Sequence, residues 1–441
     1  MLINRIYIEE YGILRHFEVD FGASKLYNSQ LNLSVIVGDN GTGKTSLLKF
    51  IAEVFTSDKI TGNFFLEYTI NNESKTISNN VDNIKHNLKP KKVIVSSYST
   101  FEQFKTDHKM RDSETLSDLN AKFENRSQYV YAGPKKKFNS ASLSSIYLPI
   151  LKNYLLSGIK KSVAIQELLR EIGYTKEPLI QLKRMRVMRR IDQKQHYANE
   201  GLIEIAYRVD EFNNKFSNMI HTNFGHQRKK LIDLRILQEY SGGVDQWIED
   251  VQKLEKIGIN VIEDLWFPKE FGLIPMKSFS SGELSMFFRF FKLIDNITDT
   301  SIVLIDEPET HLHPRWIQKY IKMLNDIFGH YDCHIIIATH SPLIVSDVAS
   351  ECIVGLKQNN NIIEKYRVQE QTLGIGYREI LNEVFGVDDL NSQYTKKLYE
   401  DIMKLLENGE LSSAKELYSN LGDSELKFDL FLKFKEYENR G

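Results

Sequence analysis

Cysteine is nearly absent from this chain, and its scarcity excludes two classes of protein. The sequence has two cysteines, Cys333 and Cys352, among 441 residues. Two thiols are too few for a disulfide-stapled fold or for a cysteine-rich metal site. We therefore expect both thiols to be reduced and the protein to be cytoplasmic.

Long apolar runs are also missing. No stretch approaches the roughly 18 apolar residues of a bilayer-spanning helix. Residues 1–22 alternate apolar and polar side chains as a strand does, and they lack the apolar centre of a signal peptide. We therefore expect no membrane role for this chain by itself.

An excess of charge of one sign is missing as well. The chain has 57 Lys and Arg against 59 Asp and Glu, so its formal net charge is −2. This balance excludes a uniformly basic surface that wraps nucleic acid, and it leaves room for a local basic stripe. The apolar fraction of 41% is enough for a large core.

The order of strand and helix patterns predicts an α/β fold that is interrupted by an insert. Short apolar strands alternate with helical patterns near both ends of the chain, which is typical of a parallel sheet. The long charged stretch between them has mainly helical spacing. These strands are predicted at residues 31–37, 93–97, 301–305 and 334–338. The predicted segments are a head in two parts (1–105 and 271–370), a helical insert (106–270) and a C-terminal helical extension (371–441). In the extension, Gly409 fits a helix stop, and Ser413 and Glu416 are spaced as a capping box.

A glycine-rich segment carries the strongest motif. The run GDNGTGKT, residues 38–45, matches G-x-x-x-x-G-K-[ST], follows a predicted strand and opens a predicted helix. The glycines let backbone N–H groups surround a phosphate, Lys44 supplies a cation for the β- and γ-phosphates, and the Thr45 hydroxyl can bind Mg²⁺. This predicts ATP and Mg²⁺ as ligands. The predicted nucleotide-binding residues here are Gly38, Asn40, Gly41, Gly43, Lys44, Thr45 and Ser46.

Two later strands end in residues that suit phosphate chemistry. The apolar strand IVLI ends in Asp306 and Glu307, and the strand HIIIA ends before His340. Functional groups of parallel sheets lie at the carboxyl ends of strands. We therefore predict that Asp306 binds Mg²⁺, that Glu307 is the catalytic base for the attacking water, and that His340 senses the γ-phosphate.

A serine–glycine segment precedes the apolar helical run LSMFFRFF. Ser280, Ser281 and Gly282 would leave free N–H groups at the positive end of that helix, which can bind an anion. Serine–glycine caps are common at helix starts, so the motif by itself is weak evidence for an anion site. Its position between the phosphate loop and the acidic strand favours a role in nucleotide binding.

Together the motifs GDNGTGKT, FSSGE, IVLIDEPE and ATHSP resemble the heads of ABC-type ATPases of the SMC-like, RecF-like and OLD-like group. The resemblance implies that Ser280 and Gly282 contact the γ-phosphate held by a second subunit, so that two ATP molecules lie between two heads. Ser281 stands where the transporter signature has its first glycine. Gln103 lies near, but not clearly at, the position of the metal-linked glutamine in that family.

Weaker stretches resemble the PtuA ATPases of Septu-type antiphage systems and their retron-associated relatives. They are VIVSSYSTFEQF, YVYAGPKKK, ILNEVFGV, the tail KLLENGELSSAKELYSNLG and the EPETHLHP form of the acidic strand. The chain has no Toprim pattern after His340 and no His-Asn-His nuclease pattern. The resemblance therefore implies a separate nuclease chain, of HNH type, as partner.

Basic residues cluster in the predicted insert. The stretch from Lys183 to Arg190 with Lys194, and a second one from His226 to Lys230, could be a solvated helix face or a contact to the DNA or RNA backbone. No motif that reads bases accompanies them, so any binding should depend little on sequence.

Three functions fit these patterns. The first is a regulatory ATPase of a prokaryotic antiviral defence complex, in which ATP-dependent dimerisation controls the nuclease. The second is a DNA-binding repair ATPase of RecF or SMC type that acts alone. The third is a scaffold that binds ATP structurally and barely hydrolyses it.

Overall fold

The computed structural model divides the chain into two compact units, residues 1–380 and residues 381–441, and each is described by itself. The predicted extension began at residue 371, ten residues before this division. The described residues are 1–22, 25–26, 29–57, 60, 62–79, 89–98, 104, 128–133, 140–174, 177–183, 186–193, 200–216, 220–224, 227–269, 272–360, 362–368, 371–387 and 392–438.

A seven-stranded sheet forms the centre of the first unit and confirms the predicted α/β fold. The strands are β3 (Asn32–Gly38), β6 (Val93–Ser97), β7 (Tyr129–Tyr131), β13 (Ile302–Asp306), β14 (His334–Ala338), β15 (Ile353–Asn359) and β16 (Ile362–Tyr366). Their order in the sheet is β16-β15-β3-β14-β13-β6-β7, and all neighbours are parallel except β15 and β16. The inner strands are buried along their whole length, which explains their mainly apolar sequences.

A four-stranded antiparallel sheet and a helix complete one side of this core. Helix α1 (Lys44–Thr56) follows β3 and contributes Leu47, Ile51 and Phe55 to an apolar cluster shared by both sheets. This packing fixes the start of α1, and with it the loop that precedes the helix. The sheet has the order β2-β1-β4-β5. Its strands are β1 (Leu2–Tyr11), β2 (Leu14–Asp20), β4 (Phe64–Ile70) and β5 (Glu73–Ser78).

The insert is a mixed domain rather than a purely helical one. A five-stranded antiparallel sheet of order β12-β11-β8-β10-β9 runs through it, and the predicted boundary at residue 270 is also wrong, because it separates β11 from its partner β12. The prediction was wrong here because these strands are short and interleaved with charged residues, as in IEDLWFPK at 262–269, so their alternation was weak. Another correction concerns β7, which lay inside the predicted insert and pairs with β6 in the central sheet. The strands are β8 (Leu179–Leu182), β9 (Ile220–Phe224), β10 (Gln227–Asp233), β11 (Ile262–Lys269) and β12 (Gly272–Pro275). The helices are α2 (Ser140–Leu155), α3 (Gly158–Glu171), α4 (Val187–Gln193), α5 (Glu200–Phe216) and α6 (Gly243–Lys256).

Helix α3 of the insert packs against two helices of the head, α7 (Ser281–Asn296) and α9 (Tyr320–Phe328). An ion pair joins Lys322 of α9 to Glu171 at the end of α3, with 2.7 Å between nitrogen and oxygen. The insert therefore packs directly against the helix that begins at the serine–glycine motif. The remaining head helices are α8 (Pro314–Gln318) and α10 (Pro342–Val345).

The second unit is helical, as predicted. Gly409, with φ of 78°, ends the first of its long helices, and the N–H of Glu410 donates to the Leu405 carbonyl at 2.8 Å. The predicted capping box at Ser413 is wrong, because the next helix already begins at Leu411 and its first turn has no side-chain cap. The helices are α11 (Tyr377–Glu383), which contains the division, α12 (Gln393–Glu407), α13 (Leu411–Ser419) and α14 (Glu425–Glu438).

Candidate active site

The glycine-rich loop connects β3 to α1 and needs its glycines for steric reasons. Gly38, Gly41 and Gly43 have φ of 148°, 84° and 87°, conformations that residues with a side chain rarely adopt. A Cβ at Gly38 would lie 2.2 Å from the Leu356 carbonyl oxygen, and one at Gly43 would lie 2.8 Å from Leu14 Cδ2. The loop thus curves around the N-terminus of α1, where free backbone N–H groups suit a phosphate group.

Lys44 lies beneath this loop. Its ammonium group donates to the carbonyl oxygens of Gly38 at 2.7 Å and Asp39 at 2.9 Å. Burial lowers the pKa of Lys44, and the carboxylates of Glu307 and Asp306 oppose that shift. Among the described residues, loop carbonyls are the only hydrogen-bond acceptors of this buried cation, which is well suited to exchange them for phosphate oxygens.

Thr45 and Asp306 meet where α1 faces the end of β13. The Thr45 hydroxyl donates to the two carboxylate oxygens of Asp306 at 3.1 and 3.2 Å. Burial raises the pKa of Asp306 to about 7, because it removes water from the charged carboxylate. The hydrogen bond from Thr45 lowers this pKa, but by less than burial raises it. A hydroxyl and a carboxylate are hard oxygen ligands of the kind that Mg²⁺ takes together with substrate phosphates, so these two residues fit the ion.

Glu307 is held by an unusual backbone conformation. Its φ is 50°, its N–H donates to the Ala338 carbonyl at 2.9 Å, and its own carbonyl accepts from the N–H of Thr310 at 3.1 Å. The half-buried side chain follows Asp306 directly in the chain, and its charge adds to the rise in the pKa of Asp306. Strained residues with fixed partners are characteristic of functional sites.

His340 is oriented by a residue that the sequence analysis missed. One carboxylate oxygen of Glu309 accepts from the Thr339 hydroxyl at 2.7 Å and from the His340 N–H at 2.9 Å, and lies 3.5 Å from His340 Nδ1. Glu309 thereby ties the loop after β13 to the loop after β14. Its second oxygen, Oε2, is buried without a hydrogen-bond partner among the described residues, so it can accept from a group that enters the site. In the sequence, the second glutamate of DEPE, residues 306–309, was the only indication of a role for Glu309.

The serine–glycine motif forms the start of α7. Ser280 is the N-cap residue, and its hydroxyl accepts from the Glu283 N–H at 3.2 Å while the Glu283 carboxylate accepts from the Ser280 N–H at 2.8 Å. Ser280 and Ser281 are exposed, and Gly282 is half-buried against Trp316. The first N–H groups of a helix have no intrahelical acceptor, so this end presents donors at the protein surface.

Arg289 was also missed, although it is a lone cation in an apolar helical run. It is buried in α7 and donates to the carbonyls of Pro308 at 2.7 Å and Thr310 at 2.6 Å. Its guanidinium lies 3.6 Å from the ring centre of Tyr98, whose N–H donates to the Asp306 carbonyl at 3.1 Å. Arg289 therefore connects the serine–glycine helix to the loop that carries Glu307.

A family model described as "AAA domain, putative AbiEii toxin, Type IV TA system" matches residues 33–346, which is more than half of the chain. The chain belongs to this family. The match runs from β3, which precedes the glycine-rich loop, to the residues that follow His340.

Several curated proteins are similar to this chain. The Retron Vc95 probable ATPase of Vibrio cholerae is 22% identical over 396 residues, covering 80% of this chain and 74% of that protein. The Septu protein PtuA of Bacillus thuringiensis is 32% identical over 114 residues, 25% of this chain and 28% of that one. Protein ea59 of phage lambda is 32% identical over 123 residues, 28% of this chain and 23% of its own length. The chain thus spans about a quarter of the length of the last two. Among solved structures, the SMC head domain from Thermotoga maritima aligns with 84% of this chain and 100% of its own, at 12% identity and a TM-score of 0.33.

The structure brings together the predicted loop, Asp306, Glu307 and His340 at one edge of the central sheet, and it leaves Ser280 and Ser281 exposed at the start of α7. Asn40 and Gly41 are exposed at the tip of the loop, and Ser46 is half-buried in the first turn of α1. Gln103 lies outside the described residues. No helix in the described part of the chain is long and apolar enough to cross a membrane.

The cations of the first basic cluster were expected on two to three turns of one helix, but among the described residues the helix includes only those from Val187 to Gln193. Lys183 follows β8, and helix α4 begins only at Val187. Arg190 donates to the Asn260 carbonyl at 2.6 Å and so has a structural role, whereas Arg186 and Arg189 are exposed. Arg184, Lys194 and His226 lie outside the described residues, as do the side chains of residues 227–230.

Proposed function

We propose that this protein is an ATP-hydrolysing regulatory ATPase whose two nucleotide sites close between two copies of the chain. One observation carries this proposal. The loop, Thr45, Asp306 and Glu307 converge within one chain, whereas Ser280 and Ser281, at the start of α7, are exposed at its surface. A second copy can place that helix end against a phosphate held at Lys44.

The chemistry assigned to each residue follows from its position. The loop N–H groups and Lys44 bind and orient the β- and γ-phosphates, and Asp306 with Thr45 would hold Mg²⁺, which neutralises phosphate charge when bound. Glu307, beside Asp306, accepts a proton from the attacking water. The Ser280 hydroxyl accepts from the Glu283 N–H, so its own hydrogen remains available to a phosphate oxygen of the partner copy. His340, oriented by Glu309, contacts the same phosphate.

Glu307→Gln tests the catalytic assignment. The amide keeps the size of the side chain but accepts no proton, so hydrolysis should fall by about 100-fold or more while ATP binding persists. The variant should accumulate as an ATP-bound dimer, measured by sedimentation velocity with ATP and Mg²⁺. Glu249→Gln is the matched control, since it removes one carboxylate charge from the exposed face of α6, away from the proposed site. Turnover of Glu307→Gln at the wild-type rate would contradict the assignment.

A mixed dimer tests whether the site is shared. Lys44→Ala disables the phosphate loop, and Ser280→Arg adds bulk to the helix end that must approach the partner's phosphate. Each variant alone should be inactive. A dimer with one chain of each type has both lesions in one site and leaves the other intact, so mixing should restore part of the ATPase rate.

Two controls make this result decisive. Subunit exchange is first demonstrated with differently tagged wild-type chains, and Gln252→Arg, on the exposed face of α6, controls for the added arginine. Restored activity supports the shared site. Its absence despite proven exchange argues for a site that is complete within one chain.

The defence role and the separate nuclease form the finer part of the proposal. Similarity to the Retron Vc95 probable ATPase and to the Septu protein PtuA supports it. Co-expression with the neighbouring genes, followed by affinity purification of the Glu307→Gln variant, should recover a nuclease of HNH type. The DNA cleavage by that complex should differ between ATP and ADP. A purified protein that binds DNA through Arg186 and Arg189 and recovers no nuclease would favour the stand-alone repair ATPase.

A further inference from the structure

We propose that Lys269, at the end of β11 in the insert, is a positioning residue that neutralises Glu283 and so lets the start of α7 receive a phosphate from the partner copy. The proposal rests on the shared site described above. It makes the insert part of the nucleotide site and goes beyond the role of the motif residues themselves.

The need for neutralisation follows from the capping box. Glu283 closes the box by accepting from the Ser280 N–H at 2.8 Å, which places a carboxylate at the first turn of the helix. A carboxylate there stabilises the helix itself, because the helix N-terminus carries partial positive charge. The same negative charge opposes a second anion, and an ATP γ-phosphate is such an anion.

Lys269 lies where it can cancel this charge. Its ammonium group donates to Glu283 Oε1 at 2.8 Å, while Glu283 Oε2 serves the Ser280 N–H. Burial raises the pKa of Glu283, but the bonds from Lys269 and Ser280 outweigh burial and leave that pKa below its ordinary value. Glu283 is therefore ionised at neutral pH, and its charge is balanced by a cation from the insert.

Aromatic packing holds Lys269 and the serine–glycine segment in one block. Tyr174 stacks on Phe279, the residue before Ser280, with ring centres 4.3 Å apart and an interplanar angle of 9°. The Lys269 ammonium lies 4.9 Å from the centre of the Tyr174 ring, and the Tyr174 hydroxyl donates to Glu283 Oε1 at 3.4 Å. A displacement of β11 therefore changes both the position of the helix end and the charge that it presents.

The test uses the Glu307→Gln background, in which the ATP-bound dimer accumulates. Lys269→Met should weaken ATP-dependent dimerisation about tenfold at low ionic strength, because Glu283 is left uncompensated beside the bound phosphate. The loss should shrink as salt is added, since salt screens exposed charges. ATP affinity at protein concentrations too low for dimerisation should stay unchanged, because Lys44 and its loop are intact.

Three further variants separate charge from packing. Lys269→Arg should keep the dimer. Adding Glu283→Gln to Lys269→Met should restore dimerisation to within about threefold, because glutamine keeps the bond to the Ser280 N–H and removes the charge. Lys253→Met, which breaks an exposed lysine–glutamate pair at 3.2 Å elsewhere in the insert, is the matched control for net charge.

The outcomes distinguish this proposal from the one on which it rests. Failure of the Glu307→Gln parent to dimerise with ATP would refute the shared site. A parent that dimerises, with a Lys269→Met derivative that dimerises equally well, overturns only the role of Lys269. A double variant as weak as Lys269→Met alone also overturns it, because charge would then not be the cause.

Discussion

Replacing Arg289 with methionine should lower the free energy of unfolding of the first unit by about 3 to 4 kcal/mol and reduce kcat more than it changes KM. Methionine keeps the apolar length of the side chain but leaves the Pro308 and Thr310 carbonyls without their donor. These residues flank Glu309 and follow the proposed base, so the loop loses its support from α7.

The magnitude follows from three contacts of the guanidinium, those with Pro308, Thr310 and Tyr98. The Pro308 carbonyl is buried and would lose about 2 kcal/mol, whereas the half-buried Thr310 carbonyl can regain water and would lose about 1 kcal/mol. Loss of the cation from the Tyr98 ring adds roughly 1 to 2 kcal/mol. Relief from burying a cation offsets about 1 kcal/mol of this sum. Burial indeed lowers the pKa of Arg289.

Urea unfolding and steady-state ATPase kinetics measure the two effects. Arg289→Lys should fall between wild type and Arg289→Met, because a lysine can satisfy one carbonyl well but lacks the planar fork for two. Ser285→Ala is the matched control, since it removes only the partner of Arg289 Nε at 3.3 Å. A methionine variant with wild-type stability and kcat would refute the reasoning.

Three further predictions concern binding. Lys44→Ala should abolish ATP binding without unfolding the protein, as measured by calorimetry; retained affinity would remove Lys44 from the site. The raised pKa of Asp306, about 7, favours the folded state while the group is protonated, a contribution that is lost as the pH rises through about 7. Because Mg²⁺ must displace this proton, its stabilisation of the ADP complex in thermal unfolding should grow between about pH 5.5 and about pH 8, and Asp306→Asn should show no such trend. Reversing Arg186 and Arg189 to glutamate should weaken any binding of DNA or RNA equally across sequences and flatten its salt dependence; an unchanged slope in a salt titration would make them a solvated face.

The motif-bearing strands could be predicted because their information is local. The run from β3 through GDNGTGKT contains an apolar strand, glycines where φ is positive and a helix start, all within a few residues. The same holds for the strands that end at Asp306 and before His340. Burial on both faces of a parallel sheet produces the unbroken apolar sequences that identify such strands.

The supporting residues could not be predicted because their partners are remote or ambiguous. Glu309 bonds to His340 across 31 residues and Arg289 to Thr310 across 21. The same local pattern can also occur where it forms a different structure. The spacing Ser-x-x-Glu occurs at Ser280 and at Ser413, but of these two only Ser280 forms a capping box. At Ser413 the helix has already begun, because the turn at Gly409 brings Leu411 against the apolar core of the second unit.

The central sheet also has a consequence for synthesis of the chain. Strand β3 pairs with β14 on one side and β15 on the other, so both neighbours of this fully buried strand are made about 300 residues after it. Thr45 and Asp306, which meet in the candidate site, are 261 residues apart, and translation across that interval takes roughly 15 to 50 s. During this time β3 has no partner strand, and its two edges can pair with other chains. Products truncated before β14 should therefore aggregate and bind no ATP, and the ribosome-bound chain is the form of this protein with the greatest need of a chaperone.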